Sequence, residues 1–383
     1  MVKPTSTVIF NARKVDAGGI VEEFWMRMAG TTIVATGIGP PDKDEADSFV
    51  NAAGKWLTPG FIDIHCHGGA GFSFGGHEAE IRAALVPHRL RGTTRSVVSL
   101  VTEPISSIAN SLRVVAAVSR KNPLILGSHI EGPFLSPAHR GAHDLAALVF
   151  PDAASVESLL DAAEGTLLQV TIAPELPGAD SAIDTFVKNN VRVGIGHTDA
   201  NYQVARQAFD RGATILTHAF NAMRPIHHRE PGPVLAALDD DRVTLELILD
   251  GHHLVARVAE LVFRAAPERV ALVTDAMSAA GVRDGDYWLG SLKVEVKEGR
   301  AVLAGTETLA GSTLTQDAAL RFALHEVGLS PVEAVAAVTV SPARALGLEK
   351  RMGLLRPGFV ADAVLLDSEW AVERVWAQGD SLL

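Results

Sequence analysis

The sequence is short of thiols, of long apolar runs and of positive charge, and each shortage narrows what it can do. Cys66 is the one cysteine among 383 residues, so no disulfide can form within the chain. That fits a reducing compartment, and a cytoplasmic location is the expectation. No apolar stretch reaches the roughly 18 residues that span a bilayer, so no membrane partner is expected. The opening residues hold no long apolar core followed by a small-residue cleavage site, so no signal peptide is expected. Lys and Arg number 34 against 45 Asp and Glu, a formal net charge of −11 that argues against a nucleic-acid partner. An anionic ligand would therefore need a local basic pocket. Exact short repeats and low-complexity tracts are also lacking.

What the chain has in quantity is apolar residues, 47% of the total, enough for a large buried core. The stretch that organises it is residues 59–67, Pro-Gly-Phe-Ile-Asp-Ile-His-Cys-His. An apolar run opened by Pro-Gly and closed by Gly68-Gly69 reads as a buried strand. Alternation puts Asp63, His65 and His67 on one face and Ile62, Ile64 and Cys66 on the other. Two imidazoles on one face could grip a divalent metal, whereas two packed histidines are the plain alternative.

From residue 59 onward, strand-like and helix-like stretches alternate. Candidate strands cover 61–67, 94–100, 124–131, 168–173, 192–197, 214–218, 244–250 and 270–275. Amphipathic stretches such as 77–91, 105–121, 152–164, 179–189, 202–211 and 254–265 separate most of them, and a later helix over 315–327 would close the ring. This pattern predicts an α/β chain folded as a (β/α)8 TIM-like barrel, with a hairpin-like insert over 287–303. A doubly wound sheet is the alternative, but no glycine-rich dinucleotide turn follows the first strand. Short strands at 7–11, 19–28, 31–37 and 55–57, matched by 363–367 and 372–378, predict a small β-sandwich domain built from both chain ends. The expected boundaries are 1–58 with 343–383 for that domain and 59–342 for the barrel.

Active sites of such barrels lie at the C-terminal ends of the strands. Here those ends carry His65 and His67, His129 and Glu131, His197, His218, Asp250 with His252 and His253, and Asp275. Packing does not account for six of eight strands ending in His, Asp or Glu, because an unpartnered buried ionisable group costs several kcal/mol. A cation at the barrel mouth would satisfy them together. His65, His67 and Asp275 could hold one ion and His197 and His218 another, with Glu131 on either or between both. Nitrogen and oxygen donors without thiolate suit zinc first, with iron, cobalt or manganese as alternatives. Cys66 is read as core packing and Asp63 as a support for the ligands.

Several stretches together resemble the amidohydrolase superfamily, and within it the family of N-acetylglucosamine-6-phosphate deacetylases. They are residues 59–67, His-Ile-Glu-Gly-Pro-Phe-Leu at 129–135, Arg-Gly-Ala-His at 140–143 and Gly-His-Thr-Asp-Ala at 196–200. Further on come Thr-His-Ala-Phe-Asn-Ala-Met at 217–223, Arg-Glu-Pro-Gly at 229–232, Val-Thr-Asp-Ala-Met at 273–277 and Leu-Ala-Gly-Ser at 309–312. The closing stretch 353–364 resembles the superfamily's return into its β domain. Many amidohydrolases bridge two metals with a carboxylated lysine on the fourth strand. The stretch 167–174 here has none, and Glu131 fits the deacetylase branch instead.

The resemblance implies metal-dependent removal of an acetyl group from N-acetyl-D-glucosamine 6-phosphate, in amino-sugar breakdown. It implies one or two divalent ions per subunit on His65, His67, Glu131, His197, His218 and Asp275. Asp275 resembles the catalytic carboxylate, with pure metal ligation as the alternative. His143 resembles the residue that holds the substrate and polarises its acetyl carbonyl, with a surface loop histidine as the alternative. Asn221, Ala222, Arg229 and His253 correspond to a phosphate cradle, and Leu309, Ala310 and Gly311 to further substrate contacts. One arm of that cradle comes from a partner subunit in the family, which implies a homodimer. His139, Arg140, Arg224, His227 and His228 are expected to add positive potential, with a solvated basic loop as the alternative for Arg224, His227 and His228. Rival readings are another amidohydrolase without the cradle, or a non-catalytic barrel that has lost its ligands. No ligand is missing.

Overall fold

The computed structural model describes residues 6–42 and 46–382. Residues 43–45, within a stretch 39–47 whose Gly-Pro-Pro-Asp and acidic residues read as a surface loop, lie outside the described residues, as do the first five residues and Leu383. The N-terminal segment forms β1 (Ser6–Asp16), β2 (Gly19–Ala29), β3 (Thr32–Ile38), β4 (Ser48–Asn51) and β5 (Trp56–Pro59). The next strand, β6 (Phe61–Cys66), is buried at every residue. A parallel strand covered on both faces reads in just this way, as a continuous apolar run.

After the small hairpin of β7 (Gly68–Gly69) and β8 (Phe72–Ser73) come β9 (Thr93–Leu100), β10 (Ile125–Glu131), β11 (Leu167–Ile172) and β12 (Arg192–Ile195). The short strands β13 (Ile215–Leu216), β14 (Thr244–Leu247) and β15 (Val270–Leu272) follow. These eight, β6 and β9 to β15, pair in parallel in chain order. The ring closes just beyond β15, where the Asp275 N–H donates to the His65 carbonyl and the His67 N–H to the Ala276 carbonyl, both at 2.8 Å. Helices including Glu78–Arg89, Ile105–Ser119, Ala153–Ala163, Ala179–Lys188 and Ala256–Ala265 wrap the outside. Their starts follow local rules: Asp152 and Asn201 accept N–H bonds from Ser155 and Val204 in the first turn. The barrel and its helices share one continuous apolar cluster.

The insert forms three antiparallel strands, β16 (Gly285–Leu289), β17 (Leu292–Lys297) and β18 (Arg300–Leu303), one more than a hairpin. It packs Leu289, Val294 and Val296 against Met277 and Ala310, over the barrel mouth. The chain ends with β19 (Ala363–Leu366), β20 (Val372–Ala377) and β21 (Asp380–Ser381). They join β5, β1, β2 and β3 in one sheet, with β4 on β1, so both chain ends meet. This sheet keeps its own apolar cluster, centred on Met26, Leu57 and Trp376.

Candidate metal centre and substrate cavity

Strands β12, β13 and β15 stop short of the polar residues that their patterns include, and at those residues the backbone turns left-handed. His197, His218 and Asp275 have φ of 48°, 28° and 48°. Such values are uncommon for non-glycine residues and cluster at functional sites. The turn aims each side chain across the mouth of the barrel. Neighbouring glycines make room for it. A Cβ on Gly311 (φ 60°) would lie 2.9 Å from the Asp275 carbonyl, and one on Gly141 (φ 55°) would lie 3.1 Å from the His197 ring.

Glu131 stands at the centre of the mouth. Its Oε1 is 3.2 Å from His197 Nε2, 3.0 Å from His218 Nε2 and 3.4 Å from His65 Nε2, and its Oε2 is 3.1 Å from His67 Nε2. Asp275 Oδ1 lies 3.2 Å from His67 Nε2 and 3.5 Å from His65 Nε2. His65, His67, Glu131 and Asp275 thus form one buried group, and Glu131 leads on to His143 and His197. His129, also at a strand end, turns away. It bonds Ser99 Oγ and Thr171 Oγ1 at 2.9 Å each, and burial first, then the His65 ring, holds it well below the usual imidazole range.

The donor chemistry of this cluster fits a cation. His67 Nδ1 faces the Ser99 carbonyl at 3.2 Å, and His197 Nδ1 faces the His139 carbonyl at 3.0 Å. A carbonyl only accepts, so both rings carry hydrogen on Nδ1 and, when neutral, a bare lone pair on Nε2. His65 Nδ1 donates to the Glu246 carboxylate at 3.1 Å, with the same result. Yet His65 Nε2 and His67 Nε2 lie 3.1 Å apart, and His197 Nε2 and His218 Nε2 lie 3.0 Å apart. At the first pair the two lone pairs face each other and repel unless a positive charge lies between them, whereas no Nδ1 partner among the described residues fixes the tautomer of His218. Two nitrogens on one tetrahedral zinc would stand roughly 3.3 Å apart.

Protons can supply part of that charge. Burial opposes protonation of His67, but Asp275 and Glu131 outweigh it and push the ring up to about 9. Burial likewise opposes ionisation of Asp275, but the His65 and His67 rings hold its carboxyl at about 2. Glu131 is held well below the carboxylate range against its burial, first by the His65 ring and then by the His143, His197 and His218 rings around it. His197 goes the other way, down to about 4, through burial and the neighbouring His143 ring.

A cavity of about 440 Å³ opens over the cluster. Its walls include His67, Glu131, His197, His218 and Asp275, and also His143, Asn221, Ala222, His253, Leu309 and Gly311. His253 is held by Asp250, which accepts from its Nδ1 at 2.7 Å and its backbone N–H at 2.8 Å. Asn221 sits in a turn between left-handed Phe220 (φ 75°) and Ala222 (φ 49°), but its own N–H is already bonded to the His218 carbonyl at 3.0 Å. Arg229 is exposed, bonds His228 Nε2 at 2.8 Å, and is not among the lining residues. Ala310 is buried behind the wall in the cluster under the insert. The positive potential expected from His139 and Arg224 is offset. Asp199 accepts from Arg224 Nε and Nη2 at 2.8 and 3.0 Å and lies 3.1 Å from His139 Nε2. Cys66 packs in the core, where burial pushes its thiol up to about 12.

Sequence reasoning did not find Glu246, Leu289, Glu307 or Thr308. Leu289, Glu307 and Thr308 reach the cavity only because the insert folds over the mouth. Glu246 sits mid-strand on β14, where the expectation for a parallel barrel strand is an apolar side chain.

The model of the amidohydrolase family matches residues 56–381. The chain belongs to the amidohydrolase family. A curated relative, N-acetylgalactosamine-6-phosphate deacetylase of Escherichia coli O157:H7, is 38% identical across 97% of this chain and 98% of its own length. N-acetylglucosamine-6-phosphate deacetylase of Bos taurus is 34% identical across 97% of this chain and 94% of its own. Among solved structures, a mutant N-acetyl-D-glucosamine-6-phosphate deacetylase of Mycobacterium smegmatis, in complex with N-acetyl-D-glucosamine-6-phosphate, is similar along 100% of both chains. Its identity is 39% and its TM-score 0.93. As an amidohydrolase the chain has a buried His, Glu and Asp site that fits a divalent metal. Among the described residues no helix is long and apolar enough to cross a membrane.

Proposed function

We propose that this amidohydrolase removes the acetyl group from N-acetyl-D-glucosamine 6-phosphate, giving D-glucosamine 6-phosphate and acetate. The observation that carries the reading is the cavity wall, where Asp275, His143, Asn221 and His253 face one space above a cation-demanding cluster. Relatives acting on acetylated hexosamine 6-phosphates support it along the whole chain.

His65, His67 and Asp275 would hold one divalent ion, His197 and His218 a second, and Glu131 would stand between them. Zinc suits these donors best. When bound, such an ion lowers the pKa of water and polarises a carbonyl. The protein's own groups supply the rest. Asp275, ionised above about pH 2, accepts the proton of the attacking water and returns it to the leaving nitrogen. His143 turns one ring nitrogen toward Glu131 at 3.5 Å, and its buried Nδ1 has no protein partner among the described residues. It is therefore available to orient the acetyl oxygen. Asn221 and His253, the latter fixed by Asp250, position the sugar phosphate.

Arg229 is too exposed to complete this cradle in its own chain, so we assign it to the cavity of a partner subunit in a homodimer. The lone buried thiol of Cys66 supports a cytoplasmic location.

A second reading, the 4-epimeric N-acetyl-D-galactosamine 6-phosphate, is favoured by the 38% identical relative. Turnover of both sugar phosphates and of unphosphorylated N-acetylglucosamine tests the assignment. The expectation is a preference for the gluco epimer and a loss of about 10²-fold or more without phosphate, the equivalent of one or two charge-assisted hydrogen bonds. Equal rates with and without phosphate would remove the cradle.

A further inference from the structure

The strand-end ligands leave one buried carboxylate unexplained. Glu246 lies inside the barrel on β14 and is 0% exposed. Among the described residues its one ion-pair partner is His65. Among the described residues no lysine or arginine pairs with it. Gln169 on β11 donates its amide to Glu246 Oε1 at 2.8 Å, and the His218 N–H approaches Oε2 at 3.4 Å. A carboxylate in such a place costs several kcal/mol unless positive charge compensates it.

The four metal-facing rings are not anchored alike. His67 and His197 give their Nδ1 hydrogens to backbone carbonyls. His218 Nδ1 is buried with no partner among the described residues. Of the four, among the described residues, only His65 is backed at Nδ1 by a carboxylate. A carboxylate behind an imidazole fixes the tautomer, orients the ring and makes the opposite nitrogen more basic. Carbonyls fix the tautomer with less charge.

We propose that Glu246, itself held by Gln169, is a positioning residue that strengthens His65 as a metal ligand and so decides whether the ion on His65, His67 and Asp275 is retained. The inference rests on the metal reading above and deepens it. Placed below the ring, Glu246 extends the negative charge of Glu131 and Asp275 downward. Two divalent ions balance that charge better than one.

The test is zinc titration of metal-free protein against a chromophoric chelator, reading two dissociation constants. His65→Ala identifies the constant that belongs to the His65 ion. Glu246→Gln keeps an acceptor for Nδ1 but removes the charge, and Glu246→Leu removes both. Each is expected to weaken that ion alone by about 10–100-fold, Leu more than Gln, and to leave the other ion's constant unchanged. Melting of metal-free Glu246→Gln should stay near wild type, because an acceptor for Nδ1 is kept, whereas Glu246→Leu orphans His65 Nδ1 and the Gln169 amide and is read for metal binding only. A purely structural role would lower the melting temperature and weaken both ions together. If Glu246→Leu does not fold, Gln169→Leu loosens the carboxylate without removing it and should weaken the same ion to a lesser degree. Two ions with unchanged constants in Glu246→Gln would overturn the proposal and leave the metal reading standing. Wild-type protein that binds one ion would overturn the proposal, and none would overturn both.

Discussion

The two ends of the barrel treat buried polar groups in opposite ways. At the N-terminal end two arginines are fully matched. Arg95, on β9, donates from Nη2 to Asp362 Oδ1 at 3.0 Å and from Nε to Oδ2, tying the barrel to the sheet made by the chain ends. Arg269, just before β15, donates to four carbonyls, those of Ala237, Leu238, Asp240 and Val243, at 2.8–3.1 Å. At the C-terminal end, like groups face one another: imidazole nitrogens 3.0–3.1 Å apart, and two carboxylates sharing the same rings. One end is complete as protein, and the other becomes complete only with a cation. Stability is concentrated at the first and reactivity at the second, the usual division in this fold.

Substitutions should separate the two. The largest expected effect is on turnover at the reactive end. Asp275→Asn should lower kcat by about 10²–10⁴-fold, the range of a lost general acid–base group. The melting temperature of the metal-free protein should fall only by the pairing that Asp275 shares with His65 and His67. Steady-state kinetics and calorimetry on one preparation would show this, and a near-normal kcat would reject the proton-transfer role.

Next in size is the closed end. Arg95→Met leaves Asp362 buried and unpaired, which should cost about 3–5 kcal/mol in denaturant unfolding with kcat unchanged. Adding Asp362→Leu should restore much of the loss. A fall in kcat with intact stability would contradict the division of labour.

The smallest effect is in the pH dependence of the metal-free protein. His67 is pushed up to about 9 from an ordinary 6.5, so its contribution to stability is complete below pH 6.5 and is lost as pH rises through 9. His197 is held down at about 4, so its contribution is complete above pH 6.5 and is lost as pH falls through 4. These two groups therefore favour a stability maximum near pH 6.5 in chelator-treated protein, and zinc should flatten the alkaline side. Melting temperatures across that range, with and without zinc, check both arms. A curve that rises steadily from pH 6.5 to 9 would count against the cluster as described.

The same division explains how much was legible beforehand. Strands such as β13 and β15 are apolar because helices cover them, and that shows as short unbroken runs. Polar residues at the reactive rim stand out against those runs, so His65, His67, Glu131, His197, His218 and Asp275 were readable one by one. Early stops such as that of β15 were not, since the left-handed turn at Asp275 packs its carbonyl where a Cβ on Gly311, 36 residues away in sequence, would lie 2.9 Å from it. Neither was Glu246, whose meaning comes from a ring on another strand. The offset of Arg224 by Asp199 was hidden for the same reason. Charge composition counts residues but not who faces whom.

The most direct measurement is a zinc-edge anomalous difference map from crystals grown with zinc. The account predicts two peaks at the barrel mouth, one touching His65, His67 and Asp275 and one touching His197 and His218, with Glu131 between. A mouth without a peak, or zinc bound elsewhere while those six side chains stay clustered and empty, would contradict it.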